Sequence, residues 1–228
     1  SKILEKLHVT GTNYCLGKSK QYPGILFAGF GDPGGLKAIK ITGKGESKTL
    51  TEDGSWDFSK ITNDIRAIHG DPDGHLWLTT RYKGIIHIRF SDFRNKQYDI
   101  YRYDMQHGLP QNDWNFAYSH NQYLIIGTRK GIYRSDTKID RQFKPELLRF
   151  VQESTFGKWF NLTQQGVSNI IFCNTGTIWV NCIDKIFKAT AGTGATSGKY
   201  DIQRLPLQKT RTSEYTDMYL EDNILWLC

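Results

Sequence analysis

The sequence predicts an all-β protein built from four-stranded antiparallel sheets, about fifty residues to a sheet. Three observations carry this. Short runs of alternating apolar and polar residues follow one another along the chain, separated by Gly, Asp, Asn and Pro turn signals. One phrase recurs five times at a nearly constant interval. No apolar stripe of 3.6-residue period competes with the strands; the nearest candidate, KITNDIRAI, reads as a loop followed by a strand.

The recurring phrase is GILFAGFGDPGGLKAI at 24–39, GHLWLTTRYKGIIHI at 74–88, QYLIIGTRKGIYRS at 122–135, GTIWVNCIDKIFKA at 176–189 and NILWLC at 223–228. Its central residue is Phe27, Trp77, Ile125, Trp179 and Trp226, at intervals of 50, 48, 54 and 47 residues. From each of the first four centres, the next Gly-Leu, Gly-Ile or Lys-Ile pair follows after six to eight residues. A second phrase precedes four of the copies: DIRAIHGDPDG, WNFAYSHNQ, VSNIIFCNTG and TDMYLEDN.

One copy can be read strand by strand. IRAIHG alternates as a half-buried first strand, and DPDG supplies a tight turn. LWLTT is the second strand, with Leu76 and Leu78 on one face and Trp77 on the other. RYKG turns again, IIHIRF is the third strand and KQYDIYRYD the fourth. Four antiparallel strands in about fifty residues make a propeller blade, and blades stack through large side chains such as these. The blades are expected at about 11–62, 63–113, 114–166 and 167–217, with a further one starting at 218–228. The whole chain is then one partial β-propeller whose open edge strands expose unpaired backbone groups.

Composition narrows the function classes. The 228 residues carry a net charge of +7, but the basic residues are spread out with no block, which argues against a nucleic-acid footprint. No run of about eighteen apolar residues occurs, so a membrane span is expected only outside this chain. No signal-peptide pattern opens it; the start, SKILEKLHVTG, is abrupt, as in a processed or trimmed chain. Cys15, Cys173, Cys182 and Cys228 form no CxxC pair, and the registers of Cys173 and Cys182 around NTGT do not favour a disulfide. In HGDPDGH the turn accounts for Asp71, Pro72, Asp73 and Gly74, so no metal is expected there. No nucleophile elbow, zinc-protease helix, phosphate loop or dinucleotide fingerprint is present. No catalytic residue and no cofactor are therefore expected.

The stretch NDIRAIHGDPDGHLWLTTRYKGIIHIRF, followed by YRYDMQHGLPQND, resembles the two-component-regulator propeller repeat. That repeat reads as an apolar strand, Asp-x-x-Gly, Leu-Trp-apolar-Gly-Thr, a Gly-Gly-Leu pair, then a strand ending in Gly-Leu and Asn. This sequence departs from it at Ile125, where Trp is usual, and at VNCIDKI, which replaces Gly-Thr and Gly-Gly. The resemblance implies a fragment of a seven-bladed ring in the periplasmic sensor of a Bacteroidetes hybrid two-component system. In that family such domains precede a membrane span and a histidine kinase, sense polysaccharide fragments and control glycan-utilisation genes. It further implies a homodimer in the parent protein, with the signal passing through a changed dimer arrangement.

In a propeller, the loop between the second and third strands and the loop entering the next blade share one face. Here those loops hold Trp56, Asn63, Asp64, Arg81, Tyr82, Asn112, Asp113, Trp114, Arg129, Lys130 and Trp159, the expected ligand-binding residues, beside Asp32, Asn161 and Asn169. Indole faces stack on sugar rings while Arg, Asn and Asp take hydroxyls, so an oligosaccharide is the expected partner; the arginines and Lys130 also suit an acidic one. Trp77, Trp179 and Trp226 sit at the repeat centre and read as blade packing. Arg81 and Arg129 share one repeat position, where a structural salt bridge fits as well as a sugar contact. Asn161-Leu162-Thr163 is a glycosylation sequon with no meaning in a bacterial source. Two other function classes stay open: a propeller enzyme such as a polysaccharide lyase or a streptogramin-lyase-like protein, and a protein-interaction propeller without a small ligand.

Overall fold

The computed structural model of the chain describes residues 13–43, 48–183, 185–192, 199–207, 218–222 and 224–227. The basic stretch 208–211 and Cys228 lie outside them. The chain divides into two compact units, Ser1–Gln106 and His107–Cys228.

Unit 1 holds two antiparallel sheets in simple up-and-down order. The first is β1 (Asn13–Lys18), β2 (Ile25–Phe30), β3 (Gly35–Thr42) and β4 (Thr49–Glu52). The second is β5 (Ile65–Gly70), β6 (Leu76–Thr80), β7 (Ile85–Asp92) and β8 (Gln97–Tyr103). IRAIHG and LWLTT are thus strands end to end. Asp71 explains the turn between them: its Oδ1 accepts the His75 N–H at 2.9 Å and its Oδ2 accepts the Trp77 indole N–H at 3.0 Å. One buried carboxylate therefore closes the hairpin and anchors the central tryptophan. Gly74, at φ 87°, supplies the left-handed position that the turn needs.

The two sheets face each other through Phe27, Leu36, Leu76, Leu78, Ile86 and Ile88, all buried. Trp56, Phe58 and Phe90 close this core from the side, with Trp56 stacked on Phe58 at 5.4 Å and edge-on to Phe93 at 4.8 Å. Such aromatic pairs contribute about 0.5–1.5 kcal/mol each beyond their buried area. At the first strands the sheets come closer still: a side chain on Gly70 would collide with the Lys18 carbonyl oxygen.

On its other face the second sheet carries an aromatic row that crosses all four strands. His69, Trp77, His87 and Tyr101 are successive cross-strand partners. The His87 ring lies parallel to the indole, 3.9 Å away and 5° tilted, and both residues are fully buried. Composition and repeat spacing do not reveal this row, because His69 and His87 look like ordinary polar strand positions.

Unit 2 begins with β9 (Phe116–His120), β10 (Tyr123–Thr128), β11 (Gly131–Ser135) and β12 (Phe150–Gln152). After the helix α1 (Lys158–Leu162) come β13 (Asn169–Phe172), β14 (Thr177–Cys182), β15 (Lys185–Ala191) and β16 (Tyr200–Arg204), and then the pair β17 (Met218–Glu221) and β18 (Ile224–Leu227). Ile125, Ile132, Phe160, Val167, Ile178 and Val180 form its core. The sequence pattern offers no helix here, and α1 is a difference from expectation. Five residues are too few to be stable by propensity. Packing holds the turn in place: Phe160 is fully buried and meets Phe187 edge-on at 5.6 Å.

The central tryptophans differ from one another. Trp77 is buried, Trp179 is half-buried with Lys188 above its ring at 5.7 Å, and Trp226 is 54% exposed. Trp226 lies on a two-stranded pair, opposite Tyr219, with no third strand beside it among the described residues. Cys15, Cys173 and Cys182 are free thiols. No helix among the described residues is long and apolar enough to cross a membrane.

Candidate functional site

In each unit, the structure brings two loops of one sheet together around an arginine. In unit 1 the loop entering β5 meets the loop after β6. Arg81 donates its backbone N–H to the Asp64 carbonyl oxygen at 2.9 Å, and its Nη1 lies 3.7 Å from Asp64 Oδ2. The same carboxylate oxygen accepts a hydrogen bond from Arg66 Nη2 at 2.9 Å, so Asp64 stands between two guanidinium groups. The Arg81 guanidinium lies over the ring of Tyr82, 4.9 Å from its centre, and Tyr82 is 62% exposed. Asn63, half-buried, accepts the Gly35 N–H on its carbonyl at 3.0 Å and so ties this loop to the β2–β3 turn that carries Asp32.

Unit 2 repeats the arrangement one blade later. Arg129, after β10, lies 3.4 Å through Nε from Asp113 Oδ2, in the loop entering β9. Its guanidinium lies 5.1 Å from the ring centre of Trp114, a half-buried residue at φ 52° that packs edge-on against Phe116. Lys130 is exposed beside it, and Asn112 is half-buried in the same loop.

Both arginine loops have the same internal brace. The Thr80 hydroxyl donates to the Gly84 carbonyl oxygen and accepts the Lys83 N–H, each at 2.9 Å. Thr128 does the same with Gly131 at 2.9 Å and Lys130 at 3.1 Å. Gly84 and Gly131 both sit at positive φ, and a side chain on either would collide, with the Tyr103 carbonyl oxygen and with Asn161 respectively. This brace is what Thr-Arg-(Tyr)-Lys-Gly encodes in both copies. The sequence placed a salt bridge and a sugar contact side by side at Arg81 and Arg129; the structure supplies the ion pair and leaves about half of each side chain exposed, 49% and 55%.

The other expected site residues are placed differently. Trp56 is 7% exposed, and its rings belong to the unit 1 core. Beside it runs a cleft of about 370 Å³ walled by Phe30, Leu36, Lys37, Asp53 and Asp57. The Trp56 Nε1 is buried without a hydrogen-bond partner among the described residues. Trp159, in α1, is 36% exposed and its ring leans on Phe160 and Phe187. Asn161 is a brace: its Oδ1 accepts the Ile132 N–H at 2.6 Å and its Nδ2 donates to the Glu153 carbonyl oxygen at 2.9 Å, which occupies the sequon side chain. Asn169 donates to the Met218 carbonyl oxygen at 3.4 Å. Sequence reasoning passed over Arg66, whose pairing with Asp64 at two residues' distance along a strand edge could have been read from the charges alone.

A model of the family described as "Two component regulator propeller" matches residues 59–82, which hold the first two strands and turn of the second sheet and the start of the Arg81 loop. No curated protein matches the chain. Among solved structures, the extracellular domain attributed to the hybrid two component system BT4673 of B. thetaiotaomicron superposes over 95% of this chain with a TM-score of 0.59 at 18% identity. The corresponding domain of BT3049 from the same organism gives 98%, 0.52 and 15%. PorZ, a surface component of the type-IX secretion system of Porphyromonas gingivalis, gives 93%, 0.55 and 16%. This chain spans only 28%, 34% and 30% of their respective lengths. At such identities the likeness is one of fold: the four-stranded sheets are β-propeller blades, of the kind found in those extracellular domains.

Proposed function

We propose that this chain is the ligand-sensing propeller of an extracytoplasmic, periplasmic part of a hybrid two-component regulator, and that its ligand is an oligosaccharide. The observation that carries the reading is the propeller-repeat match at 59–82, which runs directly into the braced Arg81 loop. The recurrence of that loop in unit 2, again with an arginine over an aromatic ring, supports a surface shaped for ligand contact beyond what blade packing requires. Each loop offers planar N–H donors next to carbonyl and carboxylate acceptors, the pairing that vicinal hydroxyls take. On this reading the region binds and does not turn its ligand over, the parent protein is a homodimer, and the membrane span and kinase belong to the rest of that protein.

Tryptophan fluorescence tests the reading. Trp114 lies under Arg129, so a glycan that engages this loop is expected to shift or quench its emission saturably. A folded chain whose emission stays unchanged across a panel of neutral and acidic oligosaccharides, with no binding by calorimetry either, would overturn the proposal.

A further inference from the structure

Resting on the sensor reading above, we infer that the ligand is an anionic glycan, carrying a carboxylate or sulfate, and that the Arg81 loop and the Arg129 loop, each within its own unit, offer a contact for that acidic group. The two arginines occupy the same repeat position in consecutive blades and are held in the same way. Each follows a threonine whose hydroxyl closes the loop, each is paired with an aspartate of the loop entering its own blade, and each lies on an aromatic ring. A flexible surface arginine pays side-chain entropy when it captures an anion; these two have most of that ordering done before a ligand arrives.

The aspartates do not use up the positive charge. Asp64 is shared by Arg66 and Arg81, which leaves one net positive charge, and exposed Lys83 follows in the same loop. In unit 2 the Asp113–Arg129 pair is followed by exposed Lys130, again leaving one. A guanidinium carries five N–H donors; Asp64 meets Arg81 at Nη1 and Asp113 meets Arg129 at Nε, so donors remain for the bidentate grip that carboxylates and sulfates take. The corresponding loops of the neighbouring blades carry no arginine among the described residues: Gly31, Asp32 and Pro33 stand in one, and Ile183 followed by Lys185 at the start of β15 in the other. The feature belongs to two blades and is not a general property of the repeat.

The test is an array in which each acidic oligosaccharide is printed beside its carboxyl-reduced or desulfated counterpart, probed with the labelled chain and with Arg81→Gln and Arg129→Gln. The expected result is binding to one or more acidic members, loss on neutralising the glycan, and a weakening of about tenfold or more in at least one variant. Melting temperatures without glycan should match across the three proteins, since both side chains are half exposed. Equal binding to acidic and neutral partners would overturn the inference and leave the sensor reading standing. Acidic binding that neither variant weakens would overturn the assignment to these arginines. Binding to no glycan at all would overturn both readings.

Discussion

Trp77→Ala is expected to cost about 3–5 kcal/mol and to lower the melting temperature by roughly 10 °C. Three losses combine. The fully buried indole leaves a cavity in the second sheet of unit 1. His87 loses the ring that stacks on it at 3.9 Å. Asp71, 1% exposed, keeps the His75 N–H on one oxygen but loses the indole donor on the other, and an unmet buried acceptor costs about 1–3 kcal/mol. Trp77→Phe separates part of the cost, because it keeps an aromatic ring in the sheet while removing the N–H and the remaining part of the indole. Trp226→Ala serves as the control at the same repeat position: with Trp226 54% exposed, its removal should change stability by about 1 kcal/mol or less. Differential scanning calorimetry checks all three; equal losses for Trp77→Ala and Trp226→Ala would contradict this account.

Acidification is expected to destabilise the protein between pH 7 and about 4.5, beginning well above the range in which carboxylates titrate. Burial holds His69 down to about 4, with the nearby Lys20 charge adding to the effect. Burial likewise pushes His87 well below its usual value, with His75 and Arg89 contributing in the same direction, and His75 is lowered by burial against the opposing charge of Asp71. In the unfolded chain these groups titrate near 6.5. Between 6.5 and their folded values the unfolded state binds more protons, so stability rises with pH across that window and is lost as pH falls through it. His69 alone contributes about 3 kcal/mol at most. Asp71 works the other way: burial raises its carboxyl, so the folded state takes up its proton first, and this offsets part of the loss at the acid end. His69→Gln should flatten the dependence of melting temperature on pH between 7 and 5. A wild-type profile already flat over that interval would show that these histidines are not held neutral by folding.

Much of the fold was legible because the repeat writes its signals locally. The turn DPDG, the alternation in IRAIHG and the apolar LWLTT depend on neighbours in sequence, and β5 and β6 fall where those signals put them. The helix α1 was not legible, since Phe160 is drawn into the core by Phe187 of β15 and Val167 of the loop before β13, and five residues show no period. Trp56 illustrates the same limit. It lies in a loop off the repeat centre, as a ligand-facing residue would, yet that loop folds back over the Phe27–Phe90 cluster and buries it. The arginine loops were half legible: the shared position of Arg81 and Arg129 is plain in the sequence, whereas the braces from Thr80 and Thr128 and the rings beneath the guanidinium groups emerge only in three dimensions.

The central claim is that the native chain binds an oligosaccharide without transforming it. The most direct measurement is its melting temperature against a panel of neutral and acidic oligosaccharides, with the mass of each glycan recorded afterwards. A ligand that binds only the folded state stabilises it by about 2.7 kcal/mol at a hundredfold excess over its dissociation constant. That corresponds to a rise of roughly 5–10 °C for a chain of this size. The account predicts such a rise with one glycan class and no change in its mass. A cooperative melt that no glycan moves, or a shift accompanied by glycan cleavage, would contradict it.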